Sequence, residues 1–193
     1  MTIPGYTMGS PMLPPAPLKP EEIEEIKKTL TLTDDDLRFL RMSLPIAEAH
    51  ADEILDVWYG FVGSHPHLLY YFSRRDGTPN ETYLARVRQR FKQWIIDTAR
   101  AEYDDAWLRY QFEIGRRHHR TGKNKADGVD SVPHIHFRHL LGLAIPVLHT
   151  LKPFLARGSH DAETVERIFR AWQKAVLFQL ILWSYPYVKE GDY

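Results

Sequence analysis

Cysteine is absent from this 193-residue chain. That excludes disulfides, zinc–thiolate centres, iron–sulfur clusters and thiol nucleophiles together, and it fits a reducing interior. Charge of one sign is not in excess either. Lys and Arg number 25 against 25 Asp and Glu, so nothing electrostatic points to nucleic acid or acidic lipid. No apolar run reaches the roughly 18 residues expected of a membrane helix. The best stretch, Ala175 to Trp183, suits one buried helix. A basic segment followed by an apolar one is missing from the start, so no secretory leader is read. The expectation is a cytoplasmic protein with no membrane and no nucleic-acid partner. Strand alternation, internal repeats and linkers are lacking as well.

What is present is helical periodicity in a chain long enough for one substantial core. Residues 1–19 form an arm with five prolines and two glycines, which prevent a regular helix. Ile3, Tyr6, Met8, Met12 and Leu13 give it apolar groups to pack, and disorder is the alternative. Pro20-Glu21-Glu22 opens a short helix to about Leu30, with proline and acids where a helix start favours them. Thr33-Asp34-Asp35-Asp36 starts the next, running with apolar spacing to Phe61 and bent at Pro45. A short turn is expected over residues 67–72. Thr78-Pro79-Asn80-Glu81 reads as a capping box that launches a helix to about Ala101. Further helices are read over 104–120, 131–156 (bent at Pro146 or Pro153) and 161–183. The glycine-bearing stretch 122–130 is a loop. The product is an all-α single domain over residues 20–193, with seven or eight helices packed around one core.

Ten histidines are the chemically informative feature. His118 and His119 sit together near a helix end. Trp107, Gln111, Ile114 and His118 share one helical face; Leu108, Phe112, Gly115 and His119 share another about 100° away. Periodicity does not choose between them, and a solvated pair beside Arg116, Arg117 and Arg120 is the alternative. His134, His136 and His139 lack a matching carboxylate and read as a solvated helix start. The proline in His65-Pro66-His67 works against convergent ligation. No phosphate loop, nucleophile elbow or HExxH pattern occurs.

A series of segments carries a family resemblance. Trp58-Tyr59-Gly60-Phe61-Val62-Gly63-Ser64-His65-Pro66-His67-Leu68-Leu69-Tyr70-Tyr71-Phe72 is similar to the corresponding stretch of protoglobins. So are Asp76-Gly77-Thr78-Pro79-Asn80-Glu81, Arg117-His118-His119-Arg120, Lys152-Pro153-Phe154-Leu155-Ala156-Arg157 and Leu182-Trp183-Ser184-Tyr185-Pro186-Tyr187-Val188-Lys189. They run in family order along nearly the whole chain. The resemblance implies a globin fold, the three-over-three helical sandwich, with an extra N-terminal helix and an N-terminal arm that buries the haem edge. It implies haem b as cofactor and His118 as the iron ligand, with the other ring N–H held by an acceptor the sequence does not name.

On the opposite side it implies Tyr59 as a hydroxyl donor, with Trp58, Phe91 and Val87 as pocket residues; Val87 stands where many globins have a distal histidine. Core packing is the alternative for these side chains. Arg90, next to Phe91, suits a haem propionate, with a solvated arginine as its alternative. Leu143 and Val147, four apart, are pocket or tunnel residues. Some relatives carry a larger aromatic at the position of Leu143, and the smaller residue would open the space. The resemblance also implies a homodimer through the last two long helices, with Leu177, Leu180, Ile181 and Trp183 serving core and interface.

The leading functional expectation is reversible binding of diatomic gases (O2, CO, NO) at a five-coordinate haem iron. A haem enzyme acting on reactive nitrogen or oxygen species or carbene precursors would use the same site. A gas sensor is a third reading; with the chain ending at Tyr193, its signal would pass to a separate partner. A haem-free helical interaction protein is the fourth.

Overall fold

The computed structural model describes residues 2–189 and 191–193. Its helices are α1 (Pro20–Thr29), α2 (Asp34–Met42), α3 (Leu44–Gly63), α4 (Pro66–Leu69), α5 (Glu81–Arg100), α6 (Asp105–His118), α7 (Phe137–Gly142), α8 (Ala144–Leu155) and α9 (Ala162–Ser184). Single 3₁₀ turns cover Tyr70–Phe72 and Tyr185–Tyr187. Among the described residues extended pairing is limited to the isolated bridges Ser73–Pro79 and Arg74–Ser131. No helix among them is long and apolar enough to cross a membrane.

Local chemistry explains where the helices stop. Pro45 lies in the first turn of α3, where a missing N–H costs nothing. The chain therefore breaks at Ser43, whose hydroxyl donates to Leu40 O (2.6 Å) and accepts from Trp172 Nε1 (2.9 Å). Two expectations need correction. The helix start near residue 80 is capped by Asn80, whose side chain accepts from Tyr83 N at 3.1 Å. Thr78 instead donates its hydroxyl to Asp76 at 2.7 Å, so α5 begins at Glu81. The expected 131–156 helix is two helices meeting at Leu143. Pro146 has no N–H, and its ring crowds the carbonyl four residues earlier, at Gly142. Residues 131–136 are non-helical because Ser131 is held by Ser73 O, to which its hydroxyl donates at 2.7 Å.

α9 is the central element, with Ile168, Ala171, Trp172, Ala175, Phe178 and Leu182 all at or below 1% exposure. It packs on α2, α6 and α8, while α3 packs on α5 and α8. One hydrophobic cluster joins α2, α3, α5, α8 and α9, and a second joins α1 to α6 and α9 through Ile23, Trp107, Phe112 and Phe178.

The arm is ordered and docked. Leu13 is buried. Tyr6 sets its ring edge against Tyr110 (5.0 Å between centroids) and donates to Asp97 Oδ2 at 2.6 Å. Three arginines hold arm carbonyls: Arg90 takes Pro4 O (2.8 Å), Arg117 takes Gly5 O (2.5 Å), and Arg109 takes Leu13 O and Pro14 O. Gly5 has φ +73°, and a Cβ there would lie 2.7 Å from Arg90 Nη1. Glycine is what allows both the turn and the close approach.

Candidate functional site

Between the α3–α5 layer and α6, α8 and α9 lies a cavity of about 210 Å3. Packed interiors rarely leave voids much larger than a water molecule, so a space of this size with mainly apolar walls has the character of a ligand site. Seven of the eight sequence-derived candidates line it: His118, Trp58, Val87, Phe91, Arg90, Leu143 and Val147. Four helices and the α7–α8 junction bring them together.

The eighth, Tyr59, does not form the wall. Consecutive helical residues point about 100° apart, so with Trp58 facing the cavity Tyr59 sits beside it. Its ring meets Trp58 at 4.9 Å and Phe72, another lining residue, at 6.1 Å. Burial raises the phenol well above its ordinary pKa, with Arg88 opposing the rise.

His118 is the final residue of α6. Its Nδ1 is 2.8 Å from Ile114 O. A carbonyl can only accept, so Nδ1 carries the proton, and Nε2 presents its lone pair in the neutral ring. Burial pushes the imidazole pKa down to about 4, with the Ile114 hydrogen bond opposing and Lys123 and Arg117 adding to the fall. The ring is therefore neutral near pH 7, the state that ligates metal. Trp183 stacks on it at 5.3 Å and 14°, and Trp183 Nε1 is fixed by Gln111 Oε1 at 2.8 Å. Gly115, one turn before His118, makes that approach possible: a Cβ there would lie 2.8 Å from the Trp183 backbone.

His119 lies beyond the helix in extended conformation (φ −89°, ψ 156°). It meets His134 and Tyr187 at about 5 Å and does not line the cavity. Helix termination separates the two histidines.

Three tryptophans line the cavity. Trp183 donates to Gln111, and Trp94 Nε1 donates to Gln179 Oε1 at 2.5 Å. Trp58 Nε1 is buried with no partner among the described residues, and so is the neighbouring Tyr59 hydroxyl. Two unused donors thus sit side by side on α3, an arrangement normally avoided in a protein interior. Arg90 and Arg117 mark a cationic edge. Arg90 holds Asp127 with two bonds of 2.9 and 2.7 Å, and Arg117 Nε holds Glu113 at 2.9 Å. The Arg90 guanidinium is therefore already engaged and largely buried, unlike the solvated arginine that was the alternative to a propionate role. Arg117, Trp94 and Trp183 also line the cavity, a role the sequence did not assign them, and the sequence reads Ile114 only as sharing a face with His118; on α6 the spacing of Tyr110, Ile114 and Arg117 could have found the first and the last of these.

An apolar slot, a buried neutral histidine with one unengaged nitrogen, and a cationic rim together suit a large flat metal-centred group with an anionic edge. A family model described as Protoglobin matches residues 19–193. The chain belongs to the protoglobin family. This protoglobin also resembles the globin domain of the Geobacter sulfurreducens globin-coupled sensor, at 19% identity and a TM-score of 0.67, over 86% of this chain and 97% of that one. That likeness shows the globin fold, here with α1 and the arm preceding α2. No curated protein matches the protoglobin by sequence search. Family membership makes it a globin-type haem protein.

Proposed function

We propose that this protoglobin binds diatomic gases reversibly at haem b, with His118 Nε2 as the proximal iron ligand and the opposite position open. The single observation that carries this reading is the neutral His118 ring, fixed by Ile114 O and Trp183 with Nε2 uncommitted, in the wall of a largely apolar cavity. Bound haem would supply one open coordination position for a small ligand such as O2, CO or NO. The protein's share is orientation, exclusion and polarity. Ile114 O fixes the ring tautomer and raises ligand basicity. Phe91, Val87, Leu143 and Val147 keep the other side apolar. Trp58 Nε1 and Tyr59 Oη are the unpartnered donors on that side, with Trp58 in the wall and Tyr59 behind it. Arg90 is the rim residue nearest to a propionate role, sharing its guanidinium with Asp127.

Visible spectra of reconstituted variants test the assignment. His118→Ala should lose stable haem binding and the spectrum of the CO adduct of a histidine-ligated haem, while His119→Ala keeps both. The reverse pattern would overturn the choice of ligand, and no Soret band in the wild type would overturn the haem reading. We also read a homodimer from exposed Leu141, Ile145 and Leu177 on α7, α8 and α9; light scattering should give two chains per particle. Leu180, by contrast, is spent on the cavity wall.

A further inference from the structure

Lys123 follows α6 in the loop that leads to α7, and its side chain is almost wholly inside the protein, with 4% of the residue exposed. Lysine is almost never buried to that degree without a partner of opposite charge. Its Nζ donates to Tyr71 O at 3.2 Å and to Asn124 Oδ1 at 3.4 Å, and stands 4.8 Å over the Tyr83 ring. These are neutral groups. Tyr71 and Tyr83 both line the cavity, so the ammonium stands directly behind that wall.

The neighbouring cations are differently provided for. Arg90 has Asp127 at 2.7 Å, and Arg117 has Glu113 at 2.9 Å. Among the described residues no carboxylate lies within ion-pair distance of Lys123. Asp127, the acid that acts on it, is held by Arg90. Burial pushes the ammonium pKa down to about 8, with the charge of Asp127 opposing the fall. Among the described residues one buried positive charge at the edge of the cavity is thus left without an ion-pair partner.

We propose that Lys123 is the counter-ion for a propionate carboxylate of the haem, at the Tyr71–Tyr83 edge of the cavity. This rests on the haem reading above and adds a residue to it. A carboxylate is the chemistry this position requires: it brings the missing negative charge, and its lone pairs can accept from an ammonium that has three donors. Arg90 and Arg117 cannot serve that carboxylate equally well, because each would first have to share its own acid. Lys123 offers an ion pair in which only neutral groups, the Tyr71 and Asn124 oxygens and the Tyr83 ring, have to give way.

The test uses the full chain reconstituted with haem b or with its dimethyl ester, which keeps the ring and iron and removes both charges. Transfer to an excess of a haem-free acceptor globin gives the dissociation rates. The wild type should lose the ester about tenfold faster than the acid, the scale of one charge-assisted bond. Lys123→Met should lose haem b faster and show a much smaller acid-to-ester ratio, and Lys123→Arg should restore the ratio. An unchanged ratio in Lys123→Met overturns the proposal and leaves Lys123 a structural cap on Tyr71 O. A second readout needs no variant: acetylation of Lys123 in the wild type, followed by mass spectrometry, should be slower with haem b than with the ester. Equal rates overturn the proposal. A chain that gives no Soret band with either porphyrin overturns the haem reading and this inference with it, whereas a normal band with unchanged ratios overturns this inference alone.

Discussion

Gly115→Ala sets two physical effects against each other. Alanine in a helix interior is favoured over glycine by about 1 kcal/mol, so α6 taken alone gains. At this position a Cβ would lie 2.8 Å from both Cα and the carbonyl oxygen of Trp183. Both are backbone atoms of α9, so no side-chain rotation relieves the overlap and the two helices must part. Overpacking of a tight contact costs about 1–3 kcal/mol, with rigid backbone partners placing it at the upper end. The net expectation is a loss of about 1–2 kcal/mol, or roughly 2–8 °C in Tm for a domain of this size. The control is Gly60→Ala in α3, where a Cβ meets nothing within 4 Å; the same substitution there should stabilise by about 0.5–1 kcal/mol. Urea melts of both variants measure the difference. Because Gly115 lies one turn from His118 and faces the tryptophan stacked on it, the variant should also lose haem faster. A Gly115→Ala chain as stable as the Gly60→Ala chain would refute the argument that α6 and α9 touch through that glycine.

Other outcomes follow from the same structure. Asp127→Ala strands the buried Arg90 guanidinium, whose side chain and partner are 12% and 4% exposed; it should cost about 3 kcal/mol, and limited proteolysis should then cut the arm that Arg90 holds through Pro4 O. The haem-free chain should lose stability as pH falls from about 6.5 towards 4. His118 stays neutral in the fold down to about 4 while the unfolded chain takes up a proton near 6.5. Unfolding is therefore favoured within that window, by on the order of 3 kcal/mol for this group. His118→Leu should flatten the pH dependence of urea melts, and an equal slope in both chains would refute the assignment. Tyr59→Phe and Trp58→Phe each remove a buried donor that no described residue uses. Tyr59→Phe should leave stability within about 0.5 kcal/mol. Whichever donor serves bound gas should speed O2 release about fivefold when removed, and unchanged release in both variants would eliminate the proposed role.

Much of this protein was legible in its residues. Helical spacing located α1, α6 and α9 to within a residue or two, helped at α1 by the proline and acids of its first turn. Those signals are local and survive in an isolated segment. The sequence also supplied the block resemblance that singled out His118 before any geometry was known. It misplaced the start of α5 because Thr78 and Asn80 are both good caps, and the choice depended on Thr78 being taken by Asp76. It merged α7 with the preceding loop because the hold of Ser73 on Ser131 spans 58 residues.

Tertiary structure decided what periodicity left tied. His118 and His119 differ by one residue, and α6 ends between them, so one ring enters the cavity and the other turns towards His134. That Lys123 has no acid as an ion-pair partner among the described residues could not be read from composition, since total charge balances; only folding shows which acid each base has taken. Sequence thus determines where helices form, through interactions a few residues apart. Which side chains are left with an unused lone pair, donor or charge is determined by long-range packing, and in this protein those unused groups are the candidate site.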